Sequence, residues 1–244
     1  MAKETKDYEI PVGRILGMLA VLMVIEMVAV ALSTLTSKGQ TPPVPQAEYL
    51  LSLPFNEGEG DIAHDTSGHG HDAALHDVMW TTQGLYFNGP GSYAEVVDTP
   101  ELNPIVDFSI EAYIKPMFTG QMGAITQGPI AMKGDNWSVA KPDRRGWLLL
   151  GRQGSVLFLP LNTPYSETYF ASIEIPAELS HIKFEVLPSI SEVRGYVNGE
   201  LQTATKINMT KMASPGIPLY LGTNPGIGDY SYYGLISEFK MRLV

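Results

Sequence analysis

The sequence predicts an all-β domain, a sandwich of antiparallel sheets, joined by a proline-rich spacer to one N-terminal transmembrane helix. Three observations predict it. From Ala47 onward, short runs of alternating apolar and polar residues, bounded by Gly, Pro, Asn and Asp, recur with no sustained helical periodicity. Ahead of them lies one long apolar stretch, residues 15–32, reading ILGMLAVLMVIEMVAVAL. Between the two, residues 38–46 read KGQTPPVPQ. The implied organisation is a cytoplasmic segment at 1–12, a helix at 13–36, a linker at 37–46 and a sandwich at 47–244.

The apolar stretch, extended by Val12, Gly13 and residues 33–35, is long enough to cross a hydrocarbon core as a helix. Lys3, Lys6 and Arg14 precede it and only Lys38 follows closely, an asymmetry that leaves the N-terminus in the cytoplasm. The domain that follows is then periplasmic or extracellular. Ala29-Val30-Ala31 has the small-x-small form that signal peptidases accept, which makes a cleaved signal peptide the rival. The length of the run, its interruption by Glu26, and the acidic residues Glu4, Asp7 and Glu9 before it favour an uncleaved single-pass anchor. A carboxylate near mid-membrane costs roughly 2.5 kcal/mol or more. A single span has no second helix of its own to satisfy Glu26, so this residue points to contact with integral membrane protein subunits. The alternative is a protonated side chain, or one near enough to the surface to find water.

The three prolines of the spacer favour an extended polyproline conformation that lifts the domain off the membrane. Residues 47–244 carry 12 Lys and Arg against 22 Asp and Glu. Such a surface argues against nucleic acid and against anionic headgroups as partners. Cysteine is absent, so the domain has no disulfide and no thiolate metal site, and its core alone must hold it.

Within the domain, residues 108–115 (FSIEAYIK) put Phe108, Ile110, Ala112 and Ile114 on one face and Ser109, Glu111, Tyr113 and Lys115 on the other, a strand with one wet side. Ile182, Phe184 and Val186 repeat the alternation. Asn198-Gly199 between Tyr196-Val197 and Glu200-Leu201 is a hairpin signal, because a type I′ turn needs positive φ at both central positions. Leu235, Phe239, Met241 and Leu243 alternate with Ile236, Glu238, Lys240 and Arg242 in a closing strand. The denser apolar runs 147–150 and 155–159 predict more deeply buried strands.

The ordered segments LPFNEGEG (53–60), DTSGHGHD (65–72), LYFNG (85–89), YAEV (93–96), DFSIEAYIKP (107–116), IAMKG (130–134), RGYVNGEL (194–201), LYLG (219–222) and YGLISEF (233–239) resemble the laminin G-like, concanavalin A-like lectin/glucanase superfamily. The resemblance implies a jelly-roll sandwich of two antiparallel sheets over residues 49–244. That fold hosts sugar binding, adhesion, glycan hydrolysis and scaffolding, so it fixes no single function. Some members hold a structural Ca²⁺ with this first loop and an acidic residue of the last strand, which nominates Asp65 and Glu238.

Four of the five histidines fall in residues 64–76. Imidazoles among carboxylates are what Zn²⁺ or Cu²⁺ needs, and His69-x-His71 offers two nitrogens, while Ca²⁺ prefers oxygen. His69 and His71 also read as surface replacements of the amides usual in this loop. Tyr230, Tyr232 and Tyr233, in a glycine-rich stretch, are candidates to stack on a sugar or anchor a protein, though alternation turns at least one inward. Trp137, Arg144 and Arg145 are further binding-loop candidates; a solvated basic loop is the alternative.

No nucleophile elbow, phosphate loop or zincin helix is present. The glycosidases of the superfamily carry Glu-x-Asp-x-x-Glu on a strand. Here Glu59-Gly-Asp61-Ile-Ala-His64 lacks the last acid and lies in a turn, so the paired carboxylates of retaining hydrolysis are missing. The sequence therefore points to a non-catalytic, membrane-anchored accessory or scaffolding subunit of a membrane complex. The alternatives are a tethered carbohydrate-binding, lectin-like module and a metal-buffering protein built on the histidine loop.

Overall fold

Sixteen strands make up the described part of the chain. In the computed structural model the described residues are 49–117, 127–135, 145–152, 154–161, 170–207, 209, 212–223, 225 and 230–244. The expected span at 13–36, Glu26, the linker, Trp137 and Arg144 lie outside them. The first eight strands are β1 (Tyr49–Leu53), β2 (Ile62–Ala63), β3 (Ala73–His76), β4 (Val78–Thr81), β5 (Gly84–Asn88), β6 (Tyr93–Val96), β7 (Phe108–Pro116) and β8 (Gln127–Gly134). The remainder are β9 (Gly146–Arg152), β10 (Ser155–Pro160), β11 (Ala171–Glu174), β12 (Ser180–Leu187), β13 (Glu192–Val197), β14 (Glu200–Lys206), β15 (Leu219–Leu221) and β16 (Tyr233–Leu243).

They form two sheets in which every pairing is antiparallel. The first runs β14-β13-β12-β7-β16-β5-β4 with β1 also on β16, and the second runs β11-β10-β9-β8-β15-β6-β3-β2. The expected sandwich is thus present. Between the sheets lies one core, in which Phe108, Ile110, Ile114, Ile182, Phe184, Val186 and Phe239 of the first sheet meet Ile130, Trp147, Leu149, Val156 and Phe158 of the second. Trp147 stacks near Phe158 at 6.4 Å between ring centroids, and Phe158 meets Phe184 at 6.0 Å. Burial of these large side chains supplies the stabilisation that no disulfide provides.

The strand at 108–116 holds the central position that its alternation predicts, between β12 and β16. Asn198 and Gly199 take φ of 51° and 85°, and the hairpin closes with Val197 opposite Glu200. That is the turn the dipeptide signals. The dense apolar runs become β9 and β10, which are buried on both faces: Leu148, Leu150 and Leu157 join Met132 and Leu161 in a second cluster on the outer side of the second sheet.

One detail of the closing strand differs from its simple alternation. A bulge between Ile236 and Glu238 shifts parity, so Ile236, and not Leu235, shares the main core with Phe239 and Met241. The bulge falls where the partner changes: β5 pairs with residues 233–236 of β16, and β1 pairs with residues 239–242. Two short strands divide one long edge.

The strands define two ends. Asn88, Tyr233 and Pro116 lie at one, since Tyr233 pairs with Asn88 and Gly234 with Pro116. Tyr49, Phe108, Arg242 and Leu243 lie at the other, since Tyr49 pairs with Arg242 and Leu243 with Phe108. At this second end the buried Lys133 ammonium donates to Asp98 Oδ1 at 2.7 Å, Ile217 O at 2.6 Å, and Asn103 Oδ1 and Ser214 O at 3.2 Å. A charge without solvent is tolerable only with such a complete set of acceptors.

Candidate functional site

The outward face of the second sheet carries a row of rings. In β3, β6 and β15 the residues Ala73, Ala94, Val96, Leu219 and Leu221 point into the core, which turns His76, Tyr93, Glu95 and Tyr220 outward. His76 lies opposite Tyr93, and Glu95 lies opposite Ala74 on one side and Tyr220 on the other. The His76 ring stacks on Tyr93 at 4.3 Å and 18°, and Tyr93 meets Tyr220 edge to face at 5.9 Å and 68°.

His76 is exposed, whereas Tyr93, Glu95 and Tyr220 are half-buried. Burial pushes the Tyr220 phenol above its ordinary range, with further push from the neighbouring Glu95 and Tyr93, so it stays a neutral hydroxyl donor. An imidazole, two phenols and a carboxylate on a rigid strand face combine flat apolar surface with directional hydrogen-bonding groups. Pyranose rings, with apolar C–H faces and hydroxyl edges, suit such a surface.

Tyr233 stands at the same end of the sandwich, half-buried against the turn joining β5 to β6. Gly89 in that turn has φ of 99°, and a Cβ there would run into the Tyr233 ring. The close approach needs glycine. Tyr232 is different: it is buried, meets Phe87 edge to face, and donates its hydroxyl to Leu235 O at 3.1 Å. Burial raises its phenol far above the ordinary value. Tyr230 is half-buried against the Met132–Leu148 cluster, and its carbonyl accepts from the Thr223 hydroxyl. Arg145 is exposed, with its amide donating to Asp135 Oδ2 at 3.0 Å.

The four residues nominated for a metal are not assembled as one donor set. Asp65 Oδ1 accepts from the amides of Ser52 and Ser67, and Oδ2 from the Ser67 hydroxyl at 2.6 Å and the His71 amide at 3.0 Å. Partial burial would raise this carboxyl, but those hydrogen bonds outweigh it and hold the group below its ordinary range. The carboxylate organises the loop through its own donors. His69 and His71 stack at 5.5 Å, and His71 Nε2 lies 3.3 Å from Thr99 Oγ1. Glu238 lies on the outer face of the first sheet, paired with Lys240 at 2.6 Å. Among the described residues no three His, Asp or Glu side chains are grouped to hold a metal ion.

The outer face of the first sheet is a grid of opposite charges. Glu111 takes Arg242 Nε at 3.0 Å and His181 Nε2 at 3.4 Å, and Glu185 takes Lys183 at 2.7 Å and the Tyr196 hydroxyl at 2.8 Å. The His181 hydrogen bond, aided by Arg242 and Lys183 and opposed by burial, brings Glu111 down to about 2. These cations and carboxylates neutralise one another, whereas the aromatic row presents stacking surface to solvent.

Sequence reasoning missed Tyr93, Glu95 and Tyr220. Their outward direction was legible in the alternation of residues 93–96 and 219–221. That β6 lies between β3 and β15 was not.

No protein-family model matches the chain, and no curated protein matches it. Solved structures do match in fold. The botulinum neurotoxin serotype G binding domain superposes with a TM-score of 0.63 at 16% identity, over 80% of this chain and 48% of its own. The serotype D ligand binding domain, solved in complex with N-acetylneuraminic acid, gives 0.62 at 15%, over 80% and 47%. Botulinum neurotoxin type C, described as depending on two ganglioside molecules to enter cells, gives 0.57 at 14%, over 80% and 48%. The chain covers about half the length of each of these structures. At such identity the likeness establishes the two-sheet sandwich and nothing finer.

Proposed function

We infer that this protein is a non-catalytic, membrane-anchored binding module of lectin type, whose sandwich presents the row His76, Tyr93 and Tyr220, with Glu95 beside it, to a glycan. The observation that carries this reading is the pre-formed, outward-facing aromatic row on a strand face, with His76 exposed and Tyr93 and Tyr220 half-buried. Its rings are held by cross-strand register, so little ordering entropy is lost on binding. The narrower assignment to the laminin G-like superfamily belongs to the same reading and rests on the ordered motifs. N-acetylneuraminic acid in a fold neighbour makes sialylated glycans the first to try.

Detergent-solubilised full-length protein on a glycan array containing sialylated and neutral oligosaccharides should bind a defined subset, and Tyr93→Ala should abolish that binding. No binding to any glycan would overturn the reading.

A second reading is favoured by Glu26: an accessory subunit whose helix docks on integral membrane proteins. Stoichiometric co-purification in mild detergent, weakened by Glu26→Leu, supports it; a monomer of unchanged behaviour removes it.

A further inference from the structure

Among the described residues every half-buried carboxylate has a protein partner except one. Such groups take backbone amides, as Asp65, Asp98 and Asp107 do, or cationic side chains, as Glu111, Glu185 and Glu238 do. Glu95, in the aromatic row, takes neither a hydrogen bond nor an ion pair among the described residues. An ionised carboxylate accepts at about four lone-pair positions, and here none of them meets a protein donor. Partly desolvated and unpartnered, it is an acceptor short of donors.

Its surroundings say which donors suit it. Glu95 lies opposite Ala74 of β3 on one side and Tyr220 of β15 on the other, and Ala74 is exposed and offers only a methyl group. One flank of the carboxylate is therefore open, and the other is walled by a ring. Two residues back along β6, on the same face, stands Tyr93, which meets Tyr220 edge to face. The two oxygens of one carboxylate can accept two adjacent hydroxyls of a pyranose, as charge-assisted hydrogen bonds, while the C–H face of the sugar lies against the tyrosines.

The local charge is of one sign. The strands β2, β3, β6 and β15 hold no Lys or Arg, and Lys133 of the adjoining β8 is buried and bound to Asp98. His76, stacked on Tyr93, is the one basic side chain on those strands. Burial, and after it the charge of Glu95, hold the Tyr220 phenol above its ordinary range; the second of these acts equally on any anion brought to that hydroxyl.

We propose that Glu95 sets the specificity of the row: its carboxylate accepts two neighbouring hydroxyls of an uncharged pyranose lying on Tyr93 and Tyr220, and its charge turns away sugars that carry a carboxylate or a sulfate. The proposal rests on reading the row as a glycan site. Sialylated glycans, the first probe that a fold neighbour suggests, are then ligands this row rejects.

The test uses the full-length protein in detergent on an array that prints lactose, N-acetyllactosamine and neutral gluco- and manno-oligosaccharides beside sialylated and sulfated counterparts. Titration calorimetry with the tightest neutral glycan then compares the parent with Glu95→Gln, which keeps the shape but exchanges one acceptor oxygen for a donor. The parent should bind neutral glycans and hold their anionic counterparts about tenfold or more weaker, a gap that narrows at about 1 M salt, where the Debye length is about 3 Å. Glu95→Gln should weaken the neutral glycan about tenfold and narrow the same gap at low salt. A parent that binds a sialylated or sulfated glycan as well as its neutral form overturns the proposal while leaving the lectin reading intact. A Glu95→Gln variant of unchanged affinity and unchanged gap also overturns it. Thermal unfolding checks that the variant is folded, and the comparison of neutral with anionic glycans on the parent decides the matter if it is not. No binding to any glycan overturns the lectin reading and the proposal with it.

Discussion

Lys133 Nζ lies 2.7 Å from Asp98 Oδ1 with the lysine side chain 1% exposed, and this pair ties β8 to the loops at one end of the sandwich. Desolvation lowers the lysine below its ordinary range despite the attraction of Asp98. Asp98 in turn accepts the Gly216 amide at 2.6 Å and the Asn103 amide at 2.7 Å. Removing the ammonium strands several acceptors at once. Lys133→Ala should cost about 3 kcal/mol, and Lys133→Met less, because methionine leaves the same acceptors unpaired but fills the space of the lysine stem and opens no cavity. Urea denaturation midpoints of the two variants against the parent would check this.

Glu111 gives the acid sensitivity a direction. Its folded value of about 2 lies below the ordinary 4.5, so the carboxylate contributes stability that is complete above pH 4.5 and is lost as pH falls toward 2. Partial solvent screening limits the contribution to about 1–2 kcal/mol. Glu111→Gln should lower the unfolding free energy by that amount at pH 7 and flatten its fall between pH 5 and 2, measured by urea titration at each pH.

Tyr93 and Tyr220 separate binding from folding. Tyr220→Ala should weaken glycan affinity about tenfold, the loss of roughly 1.4 kcal/mol of stacking and hydrogen bonding. Tyr220→Phe should keep more than half of that free energy, since the ring remains. Isothermal titration against a glycan identified on the array would compare them.

Tyr232 should behave in the opposite manner. Tyr232→Phe removes the hydroxyl that donates to Leu235 O and leaves that acceptor buried, at a cost of about 1 kcal/mol in thermal unfolding. Glycan affinity should not change, because the ring faces the core.

Asp65 is expected to act on the loop. Asp65→Ala releases four donors, those of Ser52, Ser67 and His71, and should speed amide exchange at Ser67 and His71 while leaving exchange in β9 and β12 unchanged. Hydrogen exchange read by mass spectrometry would show it.

Much of the fold was legible because period-two alternation is a local property. Phe108, Ile110, Ala112 and Ile114 declared a buried face, Asn198-Gly199 declared a hairpin, and the dense runs at 147–150 and 155–159 declared strands covered on both sides. The site was less legible. Tyr232 was grouped with Tyr230 and Tyr233 by proximity in sequence, but the turn into β16 sends its ring to Phe87. His69, His71, Asp65 and Glu238 looked like a donor set by type, yet the loop's own amides occupy Asp65 and Lys240 occupies Glu238.

The sequence by itself determined an all-β sandwich with the inward and outward residues of most strands, because side-chain direction follows from backbone geometry one residue at a time. Only the tertiary structure decided that β3, β6 and β15 are neighbours, that the bulge after Ile236 resets the face of β16, and that Glu95 stands between Ala74 and Tyr220. Those relations join residues far apart along the chain, and they are set by the joint packing of two sheets, which no local pattern encodes.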